Sequence, residues 1–217
     1  MIIFYLGHSC FKIQTDVGIV LIDPFSDKIG FKMPQEKVNL ITISHDHEDH
    51  NNWQSGRFVD QKKIILSHPG EYEVNNISVF GYDSYHDEQK GAVRGKNVIF
   101  NFFVDGLNIC HLGDLGEILS EKQIEELGEI DVLMVPIGGG FTLDVKKALE
   151  LVNKIEPRIF IPMHYYQDGL SDNFKQLQTL KDLVNEYGME PAPVKRILID
   201  KNKLPEETEL VIMERGS

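Results

Sequence analysis

Residues 44–50 read Ser-His-Asp-His-Glu-Asp-His, with three histidines and three acidic residues in seven positions, directly after the apolar run Leu40-Ile41-Thr42-Ile43. A buried strand must end where such a segment begins. Imidazole and carboxylate are the ligands that borderline divalent metals prefer, and core packing gives no reason to gather so many of them. His45 and His47, two apart, project together, and Asp49 and His50 follow as the chain turns away. One loop can therefore feed two metal positions. The alternative is a solvated acidic loop with incidental histidines, and the i, i+2, i+5 spacing behind a buried strand speaks against it. The chemistry expected is that of a metal-dependent hydrolase.

Around this segment the chain runs from short strands early to helices late. Residues 2–6, 10–15 and 18–22 read as strands, with Asp16-Val17-Gly18 turning between the last two. Residues 40–43, Ile64–Leu66 and 77–80 are further apolar strands, and 97–104 and 107–112 flank Asp105-Gly106, a hairpin signal. Ser120 is placed to cap a helix over Glu121–Leu127 that Gly128 ends, and Thr142 to cap another through about Lys154. In the second, Val145, Ala148, Leu149 and Val152 share one stripe. Strands at 132–135 and 159–161, a helix over 173–187, and closing strands at 196–199 and 209–213 complete the order. It predicts an α+β protein, two mixed β-sheets face to face with helices outside, in a single domain over residues 1–217.

Composition narrows the function. The 217 residues are 41% hydrophobic, enough for a packed core. A formal charge of −12, from 34 acidic and 22 basic residues, disfavours a polyanionic partner, so no nucleic acid is expected and a small molecule is. Basic residues are scattered: Lys62 and Lys63, then Lys90, Arg94 and Lys96, then Lys146 and Lys147. Only the middle group neighbours a candidate ligand, His86, and it reads as a loop able to meet one anionic group. Cys10 and Cys110 sit in apolar stretches without a Cys-x-x-Cys spacing, which fits buried thiols in a reducing compartment. No run approaches the roughly 18 apolar residues that span a bilayer, and the N-terminus lacks a basic signal-like start. A cytoplasmic protein with no membrane partner is expected, with homo-oligomerisation left open.

Other residues could join the cluster. His86 follows the apolar residues 77–82 in Tyr85-His86-Asp87-Glu88, where a lone histidine is usually just exposed. His111 competes with it but lies inside an apolar run, so it reads as packed or hydrogen-bonded beside the site. Asp114 closes His111-Leu112-Gly113-Asp114 and is either a turn cap or a metal-bridging carboxylate. His164 follows the strand-like Ile159-Phe160-Ile161-Pro162-Met163 and is either a core histidine or a ligand. Asp23, at a strand end before Pro24, is read as a carboxylate that fixes a ligand imidazole. His8 is as readily a turn residue as a neighbour of the site. Gly138-Gly139-Gly140 before Thr142 is either an anion-holding helix start or a plain tight loop. Glu71, Tyr72 and Tyr165 are candidates for touching substrate.

In order along the chain stand Leu6-Gly7-His8-Ser9-Cys10-Phe11, Ile22-Asp23-Pro24, His45-x-His47-x-Asp49-His50, Pro69-Gly70-Glu71-Tyr72-Glu73, Tyr85-His86-Asp87, His111-Leu112-Gly113-Asp114, Pro136-Ile137-Gly138-Gly139 and Ile161-Pro162-Met163-His164-Tyr165. Over nearly the whole chain this combination resembles the metallo-β-lactamase superfamily, in the branch of small single-domain hydrolases that includes ascorbate-6-phosphate lactonase. The resemblance implies a four-layer αββα sandwich with metals at one end of the sheets. It implies two divalent ions, one held by His45, His47 and His86, the other by Asp49, His50 and His164, with Asp114 between. It also suggests that Asp49 orients the nucleophile or takes a proton.

Zinc is the default for such ligands, and manganese, iron or nickel are accommodated. The expected reaction is attack of a metal-activated water on an ester-like bond, a lactone or phosphoester, of a small metabolite. No Gly-x-Ser-x-Gly element offers a serine nucleophile. Two alternatives are a nuclease or phosphodiesterase acting on nucleotides or RNA, and a non-hydrolytic iron redox protein on the same fold.

Overall fold

The computed structural model describes residues 1–58 and 62–216. An antiparallel meander of β1 (Ile2–Gly7), β2 (Cys10–Gln14) and β3 (Ile19–Ile22) continues into β4 (Leu40–Thr42) and β5 (Ile64–Leu66), both parallel to β3. A second meander, β6 (Gly70–Val74), β7 (Ile77–Tyr85), β8 (Lys96–Val104) and β9 (Leu107–His111), opens the other sheet. The chain then alternates α1 (Glu121–Leu127), β10 (Val132–Pro136), α2 (Val145–Ile155), β11 (Ile159–Met163) and α3 (Leu180–Tyr187), with β9, β10 and β11 parallel. Short strands β12 (Ile197–Leu198) and β13 (Glu209–Leu210) extend β1 and β11 respectively. Among the described residues the result is a mixed six-stranded sheet and a mixed seven-stranded sheet with three helices. This is the α+β sandwich expected.

Strand alternation sorts the core. Val20, Ile22 and Leu40 share one cluster with Phe100, Phe102 and Ile109 from the second sheet, so these residues fill the space between sheets. Leu21 and Ile41 point the other way, onto Phe25, Phe31, Met33 and Phe58. The cover on that outer face comes largely from the connection between β3 and β4, whose helical content is one 3-10 turn at Asp27–Ile29. The buried stripe of α2, Val145, Ala148, Leu151 and Val152, belongs to the main cluster.

Several boundaries differ from expectation. Thr142 does not cap α2; its hydroxyl donates to the Gly139 carbonyl in a preceding turn, while Asp144 accepts from the Lys147 N–H as the N-cap. The helix expected over 173–187 is confined to Leu180–Tyr187, preceded by a 3-10 turn at Asp172–Phe174. The backbone of Gln178 explains this: its N–H donates to Gly138 and its carbonyl accepts from Tyr166, so it is engaged outside any helix, and Thr179 then starts a capping box with Asp182. β7 runs on to Tyr85 because all eight residues from Ser78 pair with β8, and Gly70–Val74 forms an additional strand. The closing strands are shorter than expected, two residues each.

If Asp144 is the cap, Asp144→Ala should lower unfolding free energy by about 1 kcal/mol in urea titration. An unchanged midpoint would return the capping role to another residue.

Candidate metal centre

Strands β1, β3 and β4 of the first sheet and β7, β9 and β11 of the second end on the same side, and the polar residues gather there. After β4, the Ile43 N–H donates to the Leu66 carbonyl, and the Ser44 carbonyl accepts from Val98 of β8, 2.8 Å away. That bond fastens the start of the 44–50 segment to the second sheet. The His47 carbonyl then accepts from both His50 and Asn51, which folds the segment into a turn and brings His50 back under His45. The His45 and His50 ring centres are 4.2 Å apart.

From the second sheet come the end of β7, which delivers His86, the end of β9, which leads to Asp114, and the end of β11, which delivers His164. Gly113 makes the Asp114 turn with φ of 59°, where an added Cβ would collide with Asn97 and Ser44. The Asn97 side chain is itself clamped, accepting from Asp114 N–H and donating to Ser84 and Leu112.

Asp114 is the hub. Its Oδ2 lies 3.1 Å from His164 Nε2, 3.2 Å from His86 Nε2, 3.2 Å from His50 Nε2 and 3.7 Å from His45 Nε2. Around it the ligand atoms fall into groups whose members lie within 4.8 Å of one another: His45, His47 and His86; His8, Asp49, His50 and His164; and His45, His50 and Asp114. The structure thus brings together all seven residues proposed as ligands, and adds His8.

His8 occupies a buried turn between β1 and β2 with φ of 56°, and its Nε2 lies 3.0 Å from Asp49 Oδ2. Its carbonyl accepts from the Tyr5 hydroxyl and from the His164 N–H, tying the hairpin to β11. The available signal was a glycine-histidine turn amid apolar strands, which does not distinguish a site residue from a turn residue. His111 has both ring nitrogens engaged, Nε2 with the Ser9 carbonyl at 2.9 Å and Nδ1 accepting from Gly113 N–H. It has no lone pair left for a metal.

Asp23 sits behind the candidate ligands. It accepts from Ser44 N–H at 2.7 Å, Ser44 Oγ at 2.5 Å and His50 Nδ1 at 2.9 Å, which turns His50 Nε2 toward Asp114. The Phe141 carbonyl, 3.2 Å from His86 Nδ1, orients that ring in the same way. The remaining candidates lie elsewhere. Tyr165 is buried and accepts from Gln167, while Glu71 and Tyr72 are on β6 and do not line the cleft. Gly138-Gly139-Gly140 ends several residues before α2, so it is not that helix's N-terminus, although Gly139 and Gly140 do line the cleft.

Burial alone would raise the Asp114 and Asp49 carboxyls, but the surrounding imidazoles outweigh it: His164 and His50 hold Asp114 well below the usual range, and His50 and His8 do so for Asp49. Burial would lower His50 and His86, yet Asp114 pushes both up. His45 is pushed well down by burial and by His50, and His8 down to about 4 by burial and by His164.

The donors fit a divalent metal. His45 Nε2 and Asp114 Oδ1 are buried without a hydrogen-bond partner among the described residues, an arrangement that costs stability unless something positive fills it. Neutral imidazole nitrogens with carboxylate oxygens are the ligands of zinc and its neighbours.

Residues 2–164 match the model of the β-lactamase superfamily domain. The crystal structure of a Thermotoga maritima protein of the metallo-β-lactamase superfamily superposes with a TM-score of 0.78 at 30% identity, over 98% of this chain and 97% of that one. A UPF0173 metal-dependent hydrolase of Lysinibacillus sphaericus is 30% identical over 193 residues, 76% of this chain and 85% of the relative. Its counterpart in Carboxydothermus hydrogenoformans is 30% identical over 191 residues, 76% and 84%. The chain belongs to the UPF0173 metal-dependent hydrolases of the metallo-β-lactamase superfamily. These relatives' names specify no substrate.

Two outcomes follow from the donor arrangement. Because Asp114 raises His50 and His86, metal binding at these rings competes with protons. Calorimetric metal titration should therefore show proton release that varies with buffer ionisation enthalpy, and affinity should fall as pH falls. A buffer-independent enthalpy would contradict this. Asp23→Ala should weaken metal retention against a chelator about 10–100-fold, and retention equal to wild type would remove Asp23 from the site.

Proposed function

We propose that this centre holds two divalent cations, zinc by default, and that the chain hydrolyses an ester-like bond, a lactone or phosphoester, in a small metabolite. His45, His47 and His86 would hold one cation, and Asp49, His50 and His164 the other, with Asp114 shared. The observation that carries the proposal is Asp114 with four imidazoles at the floor of a cleft of about 470 Å³, a size for a small molecule. When bound, the cations supply Lewis acidity and lower the pKa of a water toward neutrality.

The protein's own groups have separable tasks. Asp49 is kept ionised by His50 and His8 and is the half-buried carboxylate facing the cleft, so it can orient a water as a hydrogen-bond acceptor. Asp23 and the Phe141 carbonyl fix ring orientation. Phe174 and Leu177 form an apolar wall that limits water.

The reading takes residues 1–217 as one domain and places it in the cytoplasm, which the two buried free cysteines suit. No helix among the described residues is long and apolar enough to cross a membrane. Nucleic acid is not proposed as substrate. Lys28, Lys96, Lys147 and Lys154 each pair with an acidic side chain, which disperses the positive charge a polynucleotide would need.

Metal-analysed protein screened over lactones, phosphomonoesters, phosphodiesters and thioesters should turn over one of the first two classes. Asp49→Ala should remain folded and lose about a hundredfold or more in rate. Equal rates for wild type and Asp49→Ala would end this mechanism, and turnover of oxygen with iron in the site would favour the redox alternative. Oligonucleotide binding with a steep negative salt dependence would instead promote the nuclease.

A further inference from the structure

The cleft wall carries one feature that metal binding does not use. Arg94 lies with its guanidinium carbon 3.5 Å from the ring centroid of Phe141, and both residues line the cleft with Asp114 and His164. Both are exposed. Stacking occupies one face of the guanidinium and leaves its N–H edges free. The other cation lining the cleft, Lys28, is paired with Glu48 at 2.6 Å, whereas Arg94 meets no carboxylate among the described residues.

The loop that presents Arg94 is built to hold it. The Asp87 carboxylate accepts backbone N–H bonds from Gln89, Gly91, Val93 and Arg94 at 2.7–3.1 Å. The Gly95 carbonyl accepts from His86 N–H, so the loop closes on the ligand histidine itself, and Lys147 of α2 pairs with Glu88. Phe141 is fixed at its other end, its carbonyl lying against His86 Nδ1. An unpaired, oriented guanidinium at the mouth of a cleft is a fork for a carboxylate or phosphate oxygen pair.

We propose that Arg94, stacked on Phe141, binds an anionic group of the substrate, a carboxylate or a phosphate placed away from the bond that is cut. This rests on the cleft being the substrate site, and it makes Arg94 a specificity residue, not a catalytic one.

Binding of three ketones that cannot be hydrolysed tests it: levulinate with a carboxylate, acetonylphosphonate with a phosphonate, and neutral 2-pentanone. Calorimetry on metal-loaded wild type should show at least one anion bound more tightly than 2-pentanone, and the tighter of the two names the anion. Arg94→Gln should weaken that anion about tenfold and leave 2-pentanone unchanged, while Arg94→Lys, which keeps charge without the planar fork, falls between. Thermal melting should match wild type, since Arg94 is exposed. Equal binding of anionic and neutral probes by wild type would overturn the proposal. So would an anion preference that survives Arg94→Gln intact, because the metals alone would then hold the anion. Loss of Arg94-dependent binding leaves the hydrolytic reading to the activity screen, and an inactive protein that still discriminates through Arg94 would sink that reading alone.

Discussion

A carboxylate as deeply buried as Asp114 is unfavourable unless positive partners surround it, and here four imidazole nitrogens lie within 3.1–3.7 Å of one oxygen. Those imidazoles come from both sheets: His45 and His50 follow β4 of the first, His86 and His164 follow β7 and β11 of the second. The centre is therefore also a fastening. It is reinforced by main-chain links at the same end, from Val98 N–H to the Ser44 carbonyl, from His164 N–H to the His8 carbonyl, and from His111 Nε2 to the Ser9 carbonyl. Local strain is the consequence. His8, Asp23 and His164 all adopt φ near +50°, a region that non-glycine residues enter at a cost, though His and Asp enter it more readily than most.

How much of this could be read from sequence depends on which physical signal was local. The 44–50 cluster, the strand before it and the polar residues at later strand ends are contiguous patterns, and each places a side chain by the simple fact that a buried strand must stop where charge begins. The same reasoning separates His111 from His86, and the hydrogen bonds of His111 explain why it stays buried behind the site. His8 was not separable from a turn residue, because its place beside Asp49 depends on how the β1–β2 hairpin meets β11, 156 positions away. The later start of the helix expected over 173–187 has a similar origin. Periodicity there favours helix, but Gln178 bonds to Gly138 and Tyr166, and no local pattern announces those partners. Thr142 and Asp144 are both good caps, and only the turn made by Gly139 and Gly140 decides between them.

The two kinds of sequence information correspond to two parts of the site. The floor is made by strand ends, whose positions follow from sheet register and whose ligands are spaced in the chain accordingly. The walls are made by the loops between β3 and β4, after β7, after β10 and before α3, and their shape follows from contacts among themselves. Substrate selection is a property of the walls, so motif spacing that identifies the centre leaves the substrate open.

Floor and wall nonetheless meet at one residue. The Phe141 carbonyl sets the orientation of His86 while the Phe141 ring carries Arg94, and the same short loop is held by Gly139 and Gly140 at φ of 70° and 73°. The loop bearing Arg94 returns to His86 through the Gly95 carbonyl. Any rearrangement of the 138–142 turn would therefore move a candidate metal ligand and a candidate substrate contact together. A cleft built this way cannot retune its wall freely: a substitution that reshapes the Phe141 turn to admit a different substrate also tilts the imidazole beside Asp114. Changes confined to the exposed end of Arg94 escape that coupling, because they leave the Phe141 carbonyl and the Asp87 clamp where they are.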